Sequence, residues 1–166
     1  METKTFTLKS NELGGQLNPE HYANSNGSNG QNQSPQLYWE HAPAETQAFA
    51  LTMYDLDAPT GSGFWHWVVF NIPAWVNALP ANAGDTSANL LPEGAIQSNT
   101  DMGFPGYTCA APPAGEVHRY IITIHALAKK FELDQNATPA YVGFNAHYAT
   151  LAKASLLVYG QNAKLV

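Results

Sequence analysis

His118-Arg119-Tyr120-Ile121-Ile122-Thr123-Ile124-His125-Ala126-Leu127 is the stretch whose reading decides the fold. It is rich in β-branched and aromatic residues, holds no Gly or Pro, and reads as the strongest strand of the chain. Tyr120, Ile122 and Ile124 face one way, and Ile121, Thr123 and His125 face the other. Outward from it, Ala48 to Tyr54 and Trp65 to Asn71 are apolar with few polar interruptions, the pattern of strands covered on both faces. Phe6 to Leu8, Leu37 to Glu40 and Ser155 to Tyr159 read as further strands, the last stopped by Gly160. Signals between Ala88 and Gln97 are weak, in a region punctuated by Pro73, Pro80 and Pro92.

One helix stands out. Thr138 supplies a capping hydroxyl and Pro139 sits in the first turn. Tyr141, Phe144, Tyr148 and Leu151 then recur as an apolar stripe that ends near Ala152. Many strands and one good helix predict a mostly β domain of two sheets packed face to face. Asn24 to Gln36 is uncharged, rich in Asn and Gly, and reads as a long surface loop.

At 166 residues, with hydrophobic residues at 45%, the chain can fold as one domain, 1–166, around its own core. Charged residues make up only 12%, so Asn, Gln, Ser and Thr must cover much of the surface. A net charge of −6 and the lack of any Lys/Arg cluster argue against nucleic acid and anionic membrane as partners. Cys109 is the only cysteine, which excludes an internal disulfide and a Cys-rich zinc site. The start, Met1-Glu2-Thr3-Lys4-Thr5-Phe6, has no apolar signal core and no run reaches membrane-spanning length, so a cytoplasmic location is expected.

Polar chemistry concentrates in two places. Asp55-Leu56-Asp57-Ala58-Pro59 ends one strand and turns toward Trp65-His66-Trp67, while Pro112-Pro113-Ala114-Gly115 turns tightly into His118-Arg119-Tyr120. Ionisable groups set against apolar strands need a partner or a ligand. By alternation His66 shares a face with Val68 and Phe70, opposite Trp65, Trp67 and Val69. Its nearest expected partner is Asp55, which would fix one ring nitrogen and aim the other at a ligand. Asp55, Asp57, His66, His118 and Tyr120 together have the profile of a small-molecule pocket. His66 also fits a core histidine satisfied by Asp55, Asp57 an Asx turn, and Cys109 a small buried residue. Arg119 reads as a structural ion-pair partner. His21, His41, His125 and His147 show no partner pattern.

Asp-x-Asp-Ala-Pro, Trp-His-Trp-Val-Val-Phe-Asn-Ile-Pro and Pro-Pro-x-Gly-x-x-His-Arg-Tyr, in this order and spacing, resemble the phosphatidylethanolamine-binding protein family, in particular its bacterial Raf kinase inhibitor-like branch. The resemblance runs from about Phe6 to Tyr159 and includes Gln33-Ser34-Pro35, Trp39 and the run Asp101 to Tyr107. It implies a large antiparallel sheet packed on a smaller one, with one or two peripheral helices. It also implies a pocket for phosphate, a carboxylate or a phosphorylethanolamine head group, lined by Asp55, Asp57, His66, His118 and Tyr120, with Ala111 and Pro112 at its mouth. Pro59 falls on the motif proline, with a cis Ala58–Pro59 bond implied. Leu56 replaces a usual proline, and Thr108-Cys109-Ala110-Ala111 replaces a glycine-rich approach that would leave more room for an anion.

Three functions follow as expectations. The leading one is non-catalytic binding of a small anionic ligand, with no cofactor and no metal. A hydrolase using His and Asp, or a two-His-one-carboxylate metal site, is the alternative. No His-x-His or Gly-x-Ser-x-Gly pattern supports that alternative. A third is regulation of a protein partner, such as a kinase or protease, through the pocket rim.

Overall fold

The computed structural model describes residues 4–24 and 30–162. Eight strands, β1 (Thr7–Lys9), β2 (Leu37–Glu40), β3 (Ala48–Asp55), β4 (Phe64–Pro73), β5 (Ala78–Leu79), β6 (Ile96–Gln97), β7 (Val117–Leu127) and β8 (Thr150–Gln161), build two antiparallel sheets. The large sheet has the order β6-β4-β3-β7-β8 and the small one β1-β2-β5. A single α-helix, α1 (Pro139–Ala149), and a short 3-10 turn at Pro19–His21 complete the order. Among the described residues no helix is long and apolar enough to cross a membrane.

The main core lies between the sheets. Leu8, Leu37, Trp39 and Leu79 from the small sheet meet Phe49, Leu51, Met53, Trp67, Val69, Ile122 and Ile124 from the large one. β7 alternates as its sequence predicts, with Tyr120, Ile122 and Ile124 fully buried in this layer. The opposite face of β3 and β4 is covered too. Ala48, Ala50, Val68 and Phe70 pack under Phe131 and α1. Gly15 to Leu17 hydrogen-bond to Tyr159 of β8, which covers part of an otherwise open sheet edge.

Thr138 caps α1, its hydroxyl accepting the Tyr141 N–H, and Pro139 opens the first turn as expected. The apolar stripe does not face the core. Tyr141, Phe144 and Tyr148 are exposed, and Pro139, Val142, Ala146 and Ala149 are buried instead. Both sets recur at helical spacing. The small side chains win because they let the helix lie close on the alanine floor of β3. The helix also ends at Ala149, because Thr150 already adopts extended backbone and begins β8. Gly160 is no stop. It is paired with His118 inside β8. Of the weak region only Ile96–Gln97 forms a strand.

The Asn-rich segment departs from a free surface loop. Residues 25–29 lie outside the described residues, but Gly30, Ser34 and Pro35 are buried. Gln31, Asn32 and Gln33 donate backbone hydrogen bonds to Glu20 and Tyr22, and Ser34 Oγ accepts the Gly84 N–H at 2.8 Å. These bonds fasten the return half of the loop to the body of the protein.

Candidate functional site

The site forms where β3 ends and β7 begins. Asp55 pairs with Tyr120 across the two strands, and His118 lies two residues before Tyr120 on β7. A bulge between β3 and β4 brings the third element in. Met53 opposes Trp67 and Tyr54 opposes Trp65, so His66 is the extra residue. A bulge breaks strict alternation. Trp65 goes to the helix side with Tyr54, while His66 and Trp67 both turn to the inter-sheet side, His66 edge-on to Tyr120 at 5.4 Å. The expectation that His66 shares a face with Val68 and Phe70 is therefore corrected.

Asp55, His66, His118 and Tyr120 are all buried and form one cluster. His118 Nδ1 donates to Asp55 Oδ2 at 2.8 Å, and His118 Nε2 donates to Glu116 Oε2 at 2.9 Å. Ionised carboxylates only accept, so this ring carries hydrogen on both nitrogens. Burial disfavours that charge, but the hydrogen bonds from Glu116 and Asp55 outweigh it and raise His118 above its ordinary value. Burial likewise opposes the Asp55 charge, and the two imidazoles together with the Asp57 N–H hold the carboxyl below its usual range. His66 is positioned differently from the expected Asp55 hydrogen bond. Its Nδ1 donates to the Thr108 carbonyl at 2.9 Å, and its Nε2 stands 3.9 Å from Asp55 Oδ2.

The hydroxyl of Tyr120 is buried without a hydrogen-bond partner among the described residues. Burial, followed by the nearby Asp55 charge, pushes its pKa well above the ordinary phenol value. It therefore remains a neutral donor beside the Asp55 carboxylate, without a hydrogen bond of full geometry. Gly160 makes room for it. A Cβ at Gly160 would lie 2.5 Å from the Tyr120 ring. The glycine was visible in the sequence, but its pairing opposite His118 was not.

Asp57 turns outward. Its carboxylate takes the Arg119 Nε (2.9 Å), Nη2 (2.7 Å) and backbone N–H (2.8 Å), which hold its pKa down to about 2. Asp57 thus fixes the turn beside the cluster, and Arg119 is the ion-pair partner its position in the strand implied. All peptide bonds among the described residues are trans, so the implied cis Ala58–Pro59 bond is absent. Ala111 is exposed and Pro112 buried, and the Pro112 carbonyl accepts the Asn162 side chain at 2.9 Å. Pro113 to Glu116 form a turn with Gly115 at positive φ (80°), closed by the Glu116 N–H on the Pro113 carbonyl. That turn aims Glu116 at His118. Sequence reasoning passed over Glu116, although it sits two residues before the histidine on the same face of the chain.

One strap closes the cluster. The Thr108 N–H donates to the His66 carbonyl at 2.7 Å, and the Thr108 carbonyl accepts His66 Nδ1, so Thr108 is stitched to β4. Cys109 is half-buried there, and burial raises its thiol pKa, the opposite of an activated nucleophile. Clefts of about 460 Å³ (lined by Asp85, Leu91 and Gln97 among others) and 410 Å³ (beside Trp39 and Trp75) lie elsewhere and hold none of these polar side chains.

Compared with known proteins, residues 7–160 match the family profile described as phosphatidylethanolamine-binding protein. The chain belongs to this family. YbhB of Escherichia coli is 49% identical over 152 residues, spanning 90% of this chain and 96% of the relative. YbcL of the same organism is 42% identical over 159 residues, 93% of this chain and 87% of the relative. The crystal structure of Escherichia coli YbcL, described as a new member of the mammalian phosphatidylethanolamine-binding protein family, superposes with a TM-score of 0.89 at 41% identity, covering 94% of this chain and 98% of that one. A putative family homolog from Chlamydia trachomatis shares the fold, with a TM-score of 0.80 at 22% identity over 95% of this chain and 97% of that one. The phosphatidylethanolamine-binding protein fold thus accounts for both sheets and for the meeting of β3, β4 and β7 where the cluster lies.

Proposed function

We propose that this chain binds a small anionic head group of the phosphate-monoester or phosphorylethanolamine class at the Asp55–His66–His118–Tyr120 cluster, without catalysing a reaction on it. One observation carries the reading. A buried imidazolium is held outward only by the half-exposed carboxylate of Glu116, beside a buried tyrosine hydroxyl whose nearest acceptor, Asp55, stands outside full hydrogen-bond geometry. Glu116 occupies the position an anionic ligand would take on His118 Nε2. An entering anion displaces the half-exposed Glu116 carboxylate and takes its place on His118 Nε2. It gains what Glu116 does not supply, an acceptor for Tyr120. A zwitterionic head group places its ammonium on the released Glu116 carboxylate. The family's name supports the phosphorylethanolamine class, and the local donor set explains how an acidic protein captures an anion despite its overall field.

The way His118 is held in the ligand-free protein supports the non-catalytic part of this reading. A ring gripped between two carboxylates is a fixed positive charge rather than a proton shuttle, which needs a free nitrogen near neutrality. Titration of phosphorylethanolamine, inorganic phosphate and acetate by calorimetry, followed by the ring signals of His66 and His118, tests the reading. Heat with shifts of both rings is expected, and His118→Ala should abolish them. If neither the wild type nor Glu116→Gln gives heat or ring shifts, the reading is wrong.

A further inference from the structure

We propose that Glu12, Glu20 and His21 form a second site, a divalent-cation site of the zinc class, separate from the His118 cluster. The three residues come from two short segments. Glu12 follows β1, and Glu20 and His21 end the Pro19–His21 turn. One ligating atom from each lies within 4.8 Å of the other two. The decisive residue is His21, which is completely buried. Its Nδ1 is 2.8 Å from the Gln33 carbonyl. A carbonyl oxygen accepts and never donates, so Nδ1 carries the hydrogen and Nε2 is the ring nitrogen left to take a ligand. That nitrogen is buried and has no hydrogen-bond partner among the described residues. It points toward Glu12 Oε2 at 4.0 Å, beyond hydrogen-bond reach.

Two carboxylates and a buried imidazole nitrogen therefore converge, and no donor reaches that nitrogen among the described residues. A cation resolves the conflict. Imidazole and carboxylate are zinc-type donors, and a ring whose second nitrogen donates to a backbone carbonyl is the usual posture of a metal-bound histidine. The donors are partly anchored already. Glu12 Oε2 accepts the Gln36 N–H at 3.0 Å, and Asn18 Nδ2 spans from the Glu12 carbonyl (3.1 Å) to Glu20 Oε1 (3.4 Å). The Glu20 carbonyl is pinned by the Gln31 and Gln33 N–H groups. Ligand bonds of about 2.05 Å imply donor separations of about 3.3 Å in a tetrahedron, so the side chains must close by about 1 Å. Glu12 and Glu20 are only partly buried and have that freedom, and solvent can fill the remaining position.

Such an ion braces more than its own ligands. The His21 carbonyl accepts the Tyr107 hydroxyl at 2.8 Å and the Ala110 N–H at 3.3 Å, so it steadies the strap that carries Thr108.

The test uses the full chain, stripped with a chelator and titrated with zinc chloride alone. One equivalent should bind, raise the melting temperature and shift His21 Nε2, leaving the His66 and His118 rings in place. Glu12→Gln and Glu20→Gln should each weaken zinc binding by about a hundredfold and remove the thermal shift, and both avoid truncating the buried ring. Unchanged zinc affinity in both variants overturns the proposal. So does a zinc response confined to His66 and His118, or a protonated His21 Nε2 at neutral pH in zinc-free protein, which would make the cluster an ion pair. None of these results depends on whether an anion binds at His118.

Discussion

His118 and His21 are both buried imidazoles placed among carboxylates, and they are set for opposite tasks. His118 meets a carboxylate at each nitrogen, at 2.8 and 2.9 Å, and is held as a cation. His21 meets a carbonyl at one nitrogen and, among the described residues, nothing within hydrogen-bond reach at the other. The first arrangement makes a positive charge that an anion can take over from Glu116. The second leaves a lone pair that calls for a cation. What separates them is the partner of Nδ1. A carboxylate there favours the charged ring, whereas a neutral carbonyl fixes the tautomer without stabilising charge to the same extent.

The largest test of this contrast removes Asp55. Asp55→Ala leaves the His118 cation buried without its main anchor and should cost about 3 kcal/mol or more in urea denaturation. A loss below about 1 kcal/mol would mean that His118 is not held as an imidazolium.

The pH dependence comes next. His118 is raised above 6.5, so its stabilising contribution is complete below 6.5 and lost as the pH rises through the folded value. Asp55 is lowered below 3.8, so its contribution is present above 3.8 and lost as the pH falls through its folded value. The pair therefore contributes most between 3.8 and 6.5, and proton titration of the ring followed with denaturation at several pH values checks both edges.

Glu116→Gln should strengthen phosphate binding by about tenfold, or 1.4 kcal/mol, because the chain's own competing carboxylate is gone. The same change should lower the His118 pKa. Calorimetry with the variant reads the first effect and ring titration the second. Weaker binding in this variant would show that Glu116 holds the ligand rather than competing with it.

The smallest effect is expected at Asp57. Asp57→Asn breaks a solvent-exposed ion pair with Arg119, so the stability loss should be slight and should shrink at high salt. Phosphate affinity should not change. A clear loss of affinity would move Asp57 from the supporting turn into the binding set.

Much of this was legible beforehand, for reasons that particular residues make plain. β2 appeared where Leu37 to Glu40 predicted it, and β3, β4 and β7 each extended only a residue or two beyond their apolar runs. Thr138-Pro139 announced the helix start. The types of residue in the cluster were also visible, because Asp55, His66, His118 and Tyr120 sit within strong strands where polar groups are conspicuous. Their partners were not. Asp55 reached His118 rather than His66, and nothing local singled out Glu116. His21 carried no local signal, since its neighbours Gln33 and Glu12 come from other segments. The helix face was misread because two stripes share one period, and only the floor beneath them selects between Tyr148 and Ala146.

By itself the sequence determined the main strands, the helix start and most of the chemical inventory of the site, because alternation, capping and turn preference act between residues close along the chain. The tertiary structure alone decided which nitrogen faces which oxygen. One extra residue at His66 switches its side of the sheet, and Asp55 meets a ring 63 residues away. A charge or tautomer is set by atoms in contact, and those contacts exist only once the strands have paired.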